Sequence, residues 1–368
     1  MNKQTVQLVF CVDDRFCLPL GVLLRSILAT TERTLSVHIL TQGVSEQHRQ
    51  RIEAELCSPH EVRWYQVDSA GLENLSLSAA FSQRLSLATY YRFLLGNLLS
   101  PDIDKVLYLD ADMLVNEDIG HLYDSNLGNA IVGAVSDSKL SDEQRWQHLE
   151  LSQPYYFNAG MLLVNMTAWR SMDVAEQCWQ WVERGIDFAY NDQDILNLVL
   201  NGHVALLDTR WNQQSHGLRL QQGGIVHFTG AEKPWHASCV HPLLERYRAL
   251  WHDSAYKDVA AEHALDAFDK RSLQRLSQQT NNQGAIWIYG AGQRGRRLAA
   301  FLQENLPQLN IKGFVDRAQT GQFQGVPIVS ALPHGANEPV LIASEPHYEA
   351  IRQTLLAETT DQHRIITL

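Results

Sequence analysis

The chain has 368 residues and a formal net charge of −11, an acidic balance that disfavours a nucleic-acid backbone or an anionic lipid surface as its partner. Its five cysteines are odd in number and form no Cys-x-x-Cys pair, which argues against a disulfide framework and a zinc knuckle. No apolar run approaches the about 20 residues of a membrane-spanning helix, so we expect a cytoplasmic protein without a membrane span.

The N-terminal part of the chain alternates apolar strand patterns with helix patterns. The predicted strands cover residues 6–12, 36–40 and 61–67, and the predicted helices cover residues 19–29 and 45–56. Strands that alternate with helices in this way indicate parallel β-α-β units, and therefore an α/β fold. Ligands of such sheets bind beyond the carboxyl ends of the strands, which is where Asp13 and Asp14 follow the first strand.

Two carboxylates stand at the end of a further apolar strand. Residues 105–109 form the strand pattern, Asp110 and Asp112 follow it, and a second apolar run comes directly after them. Hard divalent cations such as Mg²⁺ and Mn²⁺ prefer oxygen ligands and are usually shared between one or two carboxylates and substrate phosphates. The segment therefore indicates a metal site for a nucleoside diphosphate. A plain turn is the alternative, because Asp-x-Asp at a strand end often serves that purpose.

Polar side chains recur where the next predicted elements begin. A predicted helix at 86–99 carries Arg92, a predicted strand at 155–165 begins with aromatic residues and Asn158, and a predicted helix opens at Asn191. Polar residues at a helix start are usually caps. Residues 191–194 include two acids and a glutamine, however, which is more than a cap needs and suggests a functional segment.

The segment 224–235 combines a histidine, a glycine and a lysine. His227 stands beside apolar residues, where a histidine is usually part of the core. Here Gly230 follows, and it allows a close approach of the backbone, while Lys233 could meet a phosphate. We therefore interpret this segment as an anion site.

The chain changes character after about residue 258. Residues 259–283 are predicted to be a helical and polar linker between a domain at 1–258 and a domain at 284–368. The latter opens with a strand, and the turn Gly290-x-Gly292-x-x-Gly295, a helix and a second strand ending at Asp316 follow. This β-turn-α-β context is typical of a Rossmann-like fold, in which a phosphate binds at the helix N-terminus. A nucleotide-like ligand and a role as an interaction or oligomerisation module remain open for it.

Taken together, the motifs resemble glycosyltransferase family 8, the retaining sugar transferases that include bacterial lipopolysaccharide α-galactosyl- and α-glucosyltransferases and glycogenin. The resemblance covers about residues 5–252 and implies a GT-A type nucleotide-diphospho-sugar transferase domain. It rests on motifs in the family's order: Asp13-Asp14, Arg92, Asp110-Ala111-Asp112, residues 157–160, residues 191–194, and His227 with residues 233–235. The C-terminal domain is similar over fewer residues to the nucleotide-like domain that precedes some sugar O-acyltransferases.

The resemblance implies a UDP-hexose donor, a carbohydrate or glycan acceptor and a role for each matched position. The implied ligands of Mn²⁺, with Mg²⁺ as the alternative, are Asp110, Asp112 and His227. The implied donor contacts are Cys11, Asp13 and Phe16 at the nucleoside, Gly230 and Lys233 at the diphosphate, and Arg92, Asn158, Asp192 and Gln193 at the sugar. Ala111 is a further implied donor contact. Asp192 and Gln193 are also the catalytic candidates. In the C-terminal domain, the glycine turn makes Gly290, Gly292, Gly295 and Asp316 the candidate ligand contacts.

The resemblance implies a manganese-dependent hexosyltransferase that acts in surface glycan or lipopolysaccharide synthesis and meets the inner membrane through its acceptor. Glutamine is a poor nucleophile, so attack from the leaving-group face is favoured over a double displacement. Two other readings remain: a sugar-nucleotide sensor without transfer, and a dehydrogenase or epimerase that binds NAD in the C-terminal domain. No Tyr-x-x-x-Lys supports the latter.

Overall fold

The structure is a computed structural model, and it describes residues 5–68, 87–214, 220–358 and 365–366. The chain divides into two compact units. The first contains Met1–Ala231 and Glu245–Val259, and the second contains Glu232–Leu244 and Ala260–Leu368. The domain bounds given above stay a prediction. Within the described ranges no helix has both the length and the apolar character to cross a membrane.

The first unit is built on a seven-stranded sheet and a small three-stranded sheet. Its described strands are β1 Val6–Cys11, β2 Leu35–Thr41, β3 Glu61–Gln66, β4 Lys105–Leu109, β5 Met113–Val115, β6 Val132–Ser136, β7 Phe157–Asn165, β8 Val204–Leu206, β9 Gln213–Gln214 and β10 Ile225–His227. The large sheet has the order β3-β2-β1-β4-β7-β6-β8, and the small sheet has the order β5-β10-β9.

The strands β3, β2, β1 and β4 are parallel, as the alternating pattern predicts. The next strand, β7, runs antiparallel to both β4 and β6. The start of β7 therefore lies beside the end of β4, because antiparallel neighbours run in opposite directions. In the small sheet, β10 is antiparallel to β5 and parallel to β9. The α/β class is confirmed, and the sheet is mixed rather than parallel throughout.

Helices cover the large sheet and close its core. Those of the first unit are α1 Cys17–Leu28, α2 Glu46–Glu55, α3 Leu95–Leu98, α4 Ile119–Tyr123, α5 Ser138–Asp142, α6 Arg145–His148, α7 Met166–Ser171, α8 Val174–Glu183, α9 Asn191–Leu200 and α10 Leu244–His252, the last beginning at the unit boundary. In α9 the apolar positions 195, 196, 199 and 200 recur at helical spacing and are buried. Their burial fixes the helix so that its polar first turn lies at the edge of the core.

The predicted helix at 86–99 takes a different form. Leu87–Leu94 form a 3₁₀ helix that continues into α3, and Ser86 lies outside the described residues. The segment is rich in aromatic side chains and contains the β-branched Thr89, residue types of modest α-helical propensity. Arg92 nevertheless lies on the buried side of this segment.

The second unit has a six-stranded sheet of order β13-β14-β12-β11-β15-β16. Its elements are α11 Ala267–Thr280, β11 Gly284–Tyr289, α12 Gln293–Asn305, β12 Leu309–Val315, β13 Gly321–Phe323, β14 Val326–Val329, β15 Val340–Ile342, α13 Tyr348–Glu358 and β16 Ile365–Ile366. The strand β11, the glycine turn, α12 and β12 form the β-turn-α-β unit that the sequence indicates. Residues 259–283 contain α11, whose Leu276 is fully buried in the core with Ile288 and Leu298.

Candidate functional site

Asp110, Asp112 and His227 meet at the end of β4, as the sequence analysis expects. One ligand atom from each of the three lies within 4.8 Å of the others. His227 Nε2 lies 3.2 Å from Asp112 Oδ1 and 3.8 Å from Asp110 Oδ2. Two carboxylates and an imidazole form a donor set that suits a divalent transition metal. The group can therefore hold a metal ion, and Ala111 is buried between its two acids.

The pairing of β5 with β10 brings the histidine to the acids. In this antiparallel ladder His227 lies opposite Met113, the residue after Asp112. The Phe228 N–H also donates to the Asp112 carbonyl oxygen at 2.9 Å. A shift of one residue would turn the imidazole to the other face of the strand. The register of this short ladder thus sets the position of the third ligand.

Gly160 leaves the space in which the three side chains meet. Its carbonyl accepts the Asp110 N–H at 2.7 Å, which aligns β7 with the end of β4. A Cβ atom at this position would overlap His227 Cε1 and lie 2.8 Å from Asp110 Oδ2. A glycine is therefore required here for a close approach between backbone and side chains.

The Arg92 guanidinium is buried and joins two acids of the site. Its Nη2 donates to Asp110 Oδ1 at 2.9 Å, and its Nε lies 3.1 Å from Asp192 Oδ2. Nη1 donates to the Ala159 carbonyl at 2.6 Å, and the guanidinium carbon lies 4.5 Å from the centroid of the Tyr108 ring. Arg92 thus connects Asp110, beside the histidine, with Asp192 in the first turn of α9. A contact with a donor sugar stays a prediction.

Asp192 is a buried carboxylate with two stabilising partners. The Thr89 hydroxyl donates to its Oδ1 at 2.6 Å, and Arg92 contacts its Oδ2. Burial raises the pKa of Asp192 to about 6, against the lowering effects of Arg92 and Thr89. The group therefore changes its charge close to neutral pH.

Gln193 and Asn158 are joined by their carboxamides beside this acid. Asn158 Nδ2 donates to Gln193 Oε1 at 3.0 Å, and the Ala159 N–H donates to the same oxygen at 3.0 Å. Gln193 Nε2 lies 3.4 Å from Asp137 Oδ2. The structure thus brings Asn158, Asp192 and Gln193 together at the start of β7 and α9, as the sequence analysis expects.

Two members of the same hydrogen-bond network were not singled out from the sequence. Asp137 follows β6, caps α5 and contacts both Asn158 and Gln193. Asn212 ends the 3₁₀ helix Thr209–Asn212, and its Oδ1 lies 3.1 Å from His227 Nδ1. The position of Asp137 at a strand end was a usable signal. Asn212 gives no signal in the sequence, because its partner is 15 residues away in a separate element.

The predicted nucleoside contacts lie at the end of β1. Burial raises the pKa of the Cys11 thiol, so the side chain stays protonated. Asp13 Oδ1 accepts the Arg15 N–H at 3.0 Å, and its Oδ2 lies 3.1 Å from Arg15 Nη2. Phe16 is half-buried at the end of the short 3₁₀ helix Asp14–Phe16. The roles of these residues towards uracil and ribose stay predictions.

The remaining predicted donor contacts follow β10. Gly230 lies in a bend of the first unit. Lys233 belongs to the second unit, where its Nζ lies 5.9 Å from the centroid of the Trp235 ring. Their predicted contacts with a diphosphate stay predictions.

The glycine turn of the second unit is organised around Asp316. Asp316 Oδ2 accepts the Ala291 N–H at 2.8 Å, and Oδ1 accepts two further backbone N–H groups from residues 318 and 319. Gly290 adopts a φ of +104°, and a Cβ at Gly295 would overlap the Gly290 carbonyl oxygen. Gly290 and Gly295 are thus needed by the turn and its helix, whereas a Cβ at Gly292 would meet no atom within 4 Å. A ligand role for Gly290, Gly292, Gly295 and Asp316 stays a prediction.

A mixed sheet that carries an acidic pair beyond a central strand is the arrangement expected of a GT-A type glycosyltransferase. A sequence model of the family described as "Glycosyl transferase family 8" matches residues 7–239. The chain therefore belongs to glycosyltransferase family 8. The predictions of a GT-A type fold and of an enzyme of the hexosyltransferase class are confirmed.

Relatives and solved structures agree with this family. The chain is 27% identical over 271 residues to General stress protein A of Bacillus subtilis (strain 168), a match that covers 67% of this chain and 93% of that protein. It is 27% identical over 286 residues to the lipopolysaccharide 1,3-galactosyltransferase of Salmonella typhimurium, covering 70% and 82%. A galactosyltransferase crystallised with donor and acceptor sugar analogues is 30% identical with a TM-score of 0.62, covering 68% of this chain and 96% of that one.

Proposed function

We propose that this glycosyltransferase moves glucose or galactose from a UDP-sugar to an acceptor hydroxyl, with retention at the anomeric carbon. The observation that carries the proposal is the convergence of Asp110, Asp112 and His227 within 4.8 Å of one another. Arg92 links this group to Asp192, so a candidate diphosphate site and a candidate sugar site share one buried connection.

The donor set fits a divalent ion, and we propose Mn²⁺, with Mg²⁺ as the alternative. His227 Nδ1 faces Asn212 Oδ1, which leaves Nε2 towards the acids. The side chains of Asp110 and Asp112 keep 26% and 13% exposure, so a substrate phosphate can reach them. A bound ion would supply Lewis-acid stabilisation of the departing diphosphate.

The chain's own groups would act on the sugar. As the bond between the anomeric carbon and the diphosphate oxygen breaks, the Asp192 carboxylate and the Gln193 carboxamide would stabilise positive charge at that carbon. The acceptor oxygen forms the new bond on the same face, and its proton passes to the diphosphate oxygen. The partners of Asp192, which are Arg92 and Thr89, hold it in place.

The acceptor proposal is drawn from the relatives. Two of them are named as lipopolysaccharide 1,3-galactosyl- and 1,2-glucosyltransferases. We therefore propose a surface glycan or lipopolysaccharide acceptor for this chain. A cytoplasmic location, at the inner membrane through that acceptor, belongs to the same proposal.

A donor screen tests the proposal. Purified protein with Mn²⁺ is given UDP-glucose, UDP-galactose or either N-acetyl form, and UDP release is measured. We expect release from a hexose donor, its loss on chelation, and its return when Mn²⁺ is added back. Asp112→Ala should abolish release while its thermal unfolding stays cooperative, and the exposed Asp142 gives a control in Asp142→Asn. Absence of release from every donor, or a fully active Asp112→Ala variant under chelation, would refute the proposal.

A further inference from the structure

A run of buried carboxamides leads from the backbone of β7 to the imidazole of His227. The Gly160 N–H donates to Asn158 Oδ1 at 3.0 Å. Asn212 Nδ2 donates to the same oxygen at 2.9 Å, and Asn212 Oδ1 lies 3.1 Å from His227 Nδ1. All three polar side chains of this run are buried. Water therefore does not compete for these hydrogen bonds.

The backbone fixes the direction of the run. A backbone N–H can only donate, so the Asn158 atom that faces Gly160 is its oxygen. The Asn212 atom that faces this oxygen must then be the nitrogen, which turns the Asn212 oxygen to His227. A second backbone N–H supports the same orientation of Asn158. The Ala159 N–H donates to Gln193 Oε1, so the Asn158 atom that faces this oxygen must be the nitrogen Nδ2.

An imidazole nitrogen that faces a carbonyl oxygen must carry a proton. The neutral ring has one proton, and two neighbours compete for it: the Asn212 oxygen at Nδ1 and the acids at Nε2. With the proton at Nδ1, the lone pair of Nε2 points to Asp110 and Asp112. With the proton at Nε2, that nitrogen cannot bind an ion.

We infer that Asn212 is a positioning residue that holds the Nδ1–H tautomer of His227 and so prepares Nε2 as a metal ligand. The inference deepens the proposed function and rests on its metal site. Hydrogen bonds from a ligating histidine to a neighbouring oxygen orient the ring and raise the affinity for the ion. Asn212 would act through His227, and it would not itself be a ligand of the ion.

The proton is observed directly by nitrogen NMR of protein labelled with ¹⁵N-histidine. We expect a slowly exchanging proton on His227 Nδ1 at alkaline pH without metal, and again with diamagnetic Cd²⁺ bound. The signal is assigned by its loss in His227→Gln. In Asn212→Leu the protected Nδ1 proton should disappear. A neutral wild-type ring that carries its proton at Nε2 would overturn the inference, and this result depends on no variant of Asn212.

Metal affinity gives a second readout that needs no turnover. Calorimetry with Mn²⁺ alone should give a Kd about 10- to 100-fold weaker for Asn212→Leu than for the wild type. Asn212→Asp keeps an acceptor towards Nδ1 but loses the amide that donates to Asn158 Oδ1, so it should restore only part of that loss. Asn165→Leu is the control, because Asn165 is a partly buried carboxamide at the end of β7 away from the site, where its Oδ1 accepts the Ala168 N–H. Its affinity should equal that of the wild type.

The two readouts separate the inference from the proposed function. Equal Mn²⁺ affinity of Asn212→Leu and the wild type, both with cooperative unfolding, would overturn the role of Asn212. If the wild type binds neither Mn²⁺ nor Mg²⁺, the proposed metal site fails, while the NMR result still decides the tautomer.

Discussion

At Gly160 the lack of a side chain decides whether three ligands can meet. We expect Gly160→Ala to weaken Mn²⁺ binding by about tenfold or more, because the new Cβ would overlap His227 and crowd Asp110. Calorimetry with Mn²⁺ measures the change. Gly43→Ala is the control, since a Cβ at Gly43 meets no atom within 4 Å. Unchanged affinity in Gly160→Ala would mean that these residues do not form the metal site.

The charge of Asp192 should appear in the pH profile of the reaction. Burial raises its pKa to about 6, so the group is neutral below that pH and a carboxylate above it. The neutral form gives little stabilisation to a cationic anomeric carbon, so we expect kcat to rise with pH through about 6. The profile of kcat at saturating donor and Mn²⁺ measures this rise.

Asp192→Asn tests whether the rise of kcat near pH 6 is due to Asp192. We expect the variant to show no rise of kcat near pH 6. Its kcat should be about 10²-fold lower than that of the wild type, with UDP affinity nearly unchanged. Asp142→Asn should keep both the rate and the profile. A folded Asp192→Asn variant with an unchanged rate would remove Asp192 from the mechanism.

At the scale of elements, two antiparallel pairings assemble the site. Leu109 pairs with Met161 between β4 and β7, and Met113 pairs with His227 between β5 and β10. The acidic pair itself was predictable from an apolar strand followed by Asp-x-Asp. The pairings were not, because alternation identifies a strand without naming its neighbour or its direction. His227 was linked to the acids by the family resemblance, and the ladder supplies the physical reason.

An ion pair between a partly exposed arginine and a buried acid ties α6 to the first turn of α9. Arg145 donates from Nε to Asp194 Oδ1 at 3.1 Å and from Nη2 to Oδ2 at 2.6 Å. The Tyr156 hydroxyl donates to the same acid at 2.7 Å. We expect Asp194→Ala to lower the free energy of unfolding by about 2–3 kcal/mol, because the buried Tyr156 hydroxyl and the Tyr190 N–H lose their acceptor. Urea unfolding measures the loss.

An exposed pair provides the comparison for that change. The side chains of Glu61 and Arg63 are 64% and 54% exposed to solvent. Glu61→Ala should therefore alter the free energy of unfolding by less than about 1 kcal/mol. If both variants shift the urea transition by the same small amount, Asp194 does not hold α6 and α9 together.

At the scale of the whole molecule, the two units differ in how far their sequences predict them. The β-turn-α-β unit at the glycine turn was predictable, because its spacing is set by the backbone and recurs in the structure. What Asp316 contacts was not predictable from spacing. An acid at that distance from the turn can bind a ligand or a backbone N–H, and in the structure Asp316 accepts three backbone N–H groups.

The guanidinium of Arg92, shared by Asp110 and Asp192, has a consequence for enzyme engineering. Substitutions at contacting residues are not independent, and their effects do not add. In a library that varies either acid alone, the buried guanidinium would keep only one of its two carboxylate partners. Most variants would then be inactive for that reason and not because the new side chain binds the sugar poorly. A search for altered donor preference should keep this trio constant and draw its diversity from positions outside it.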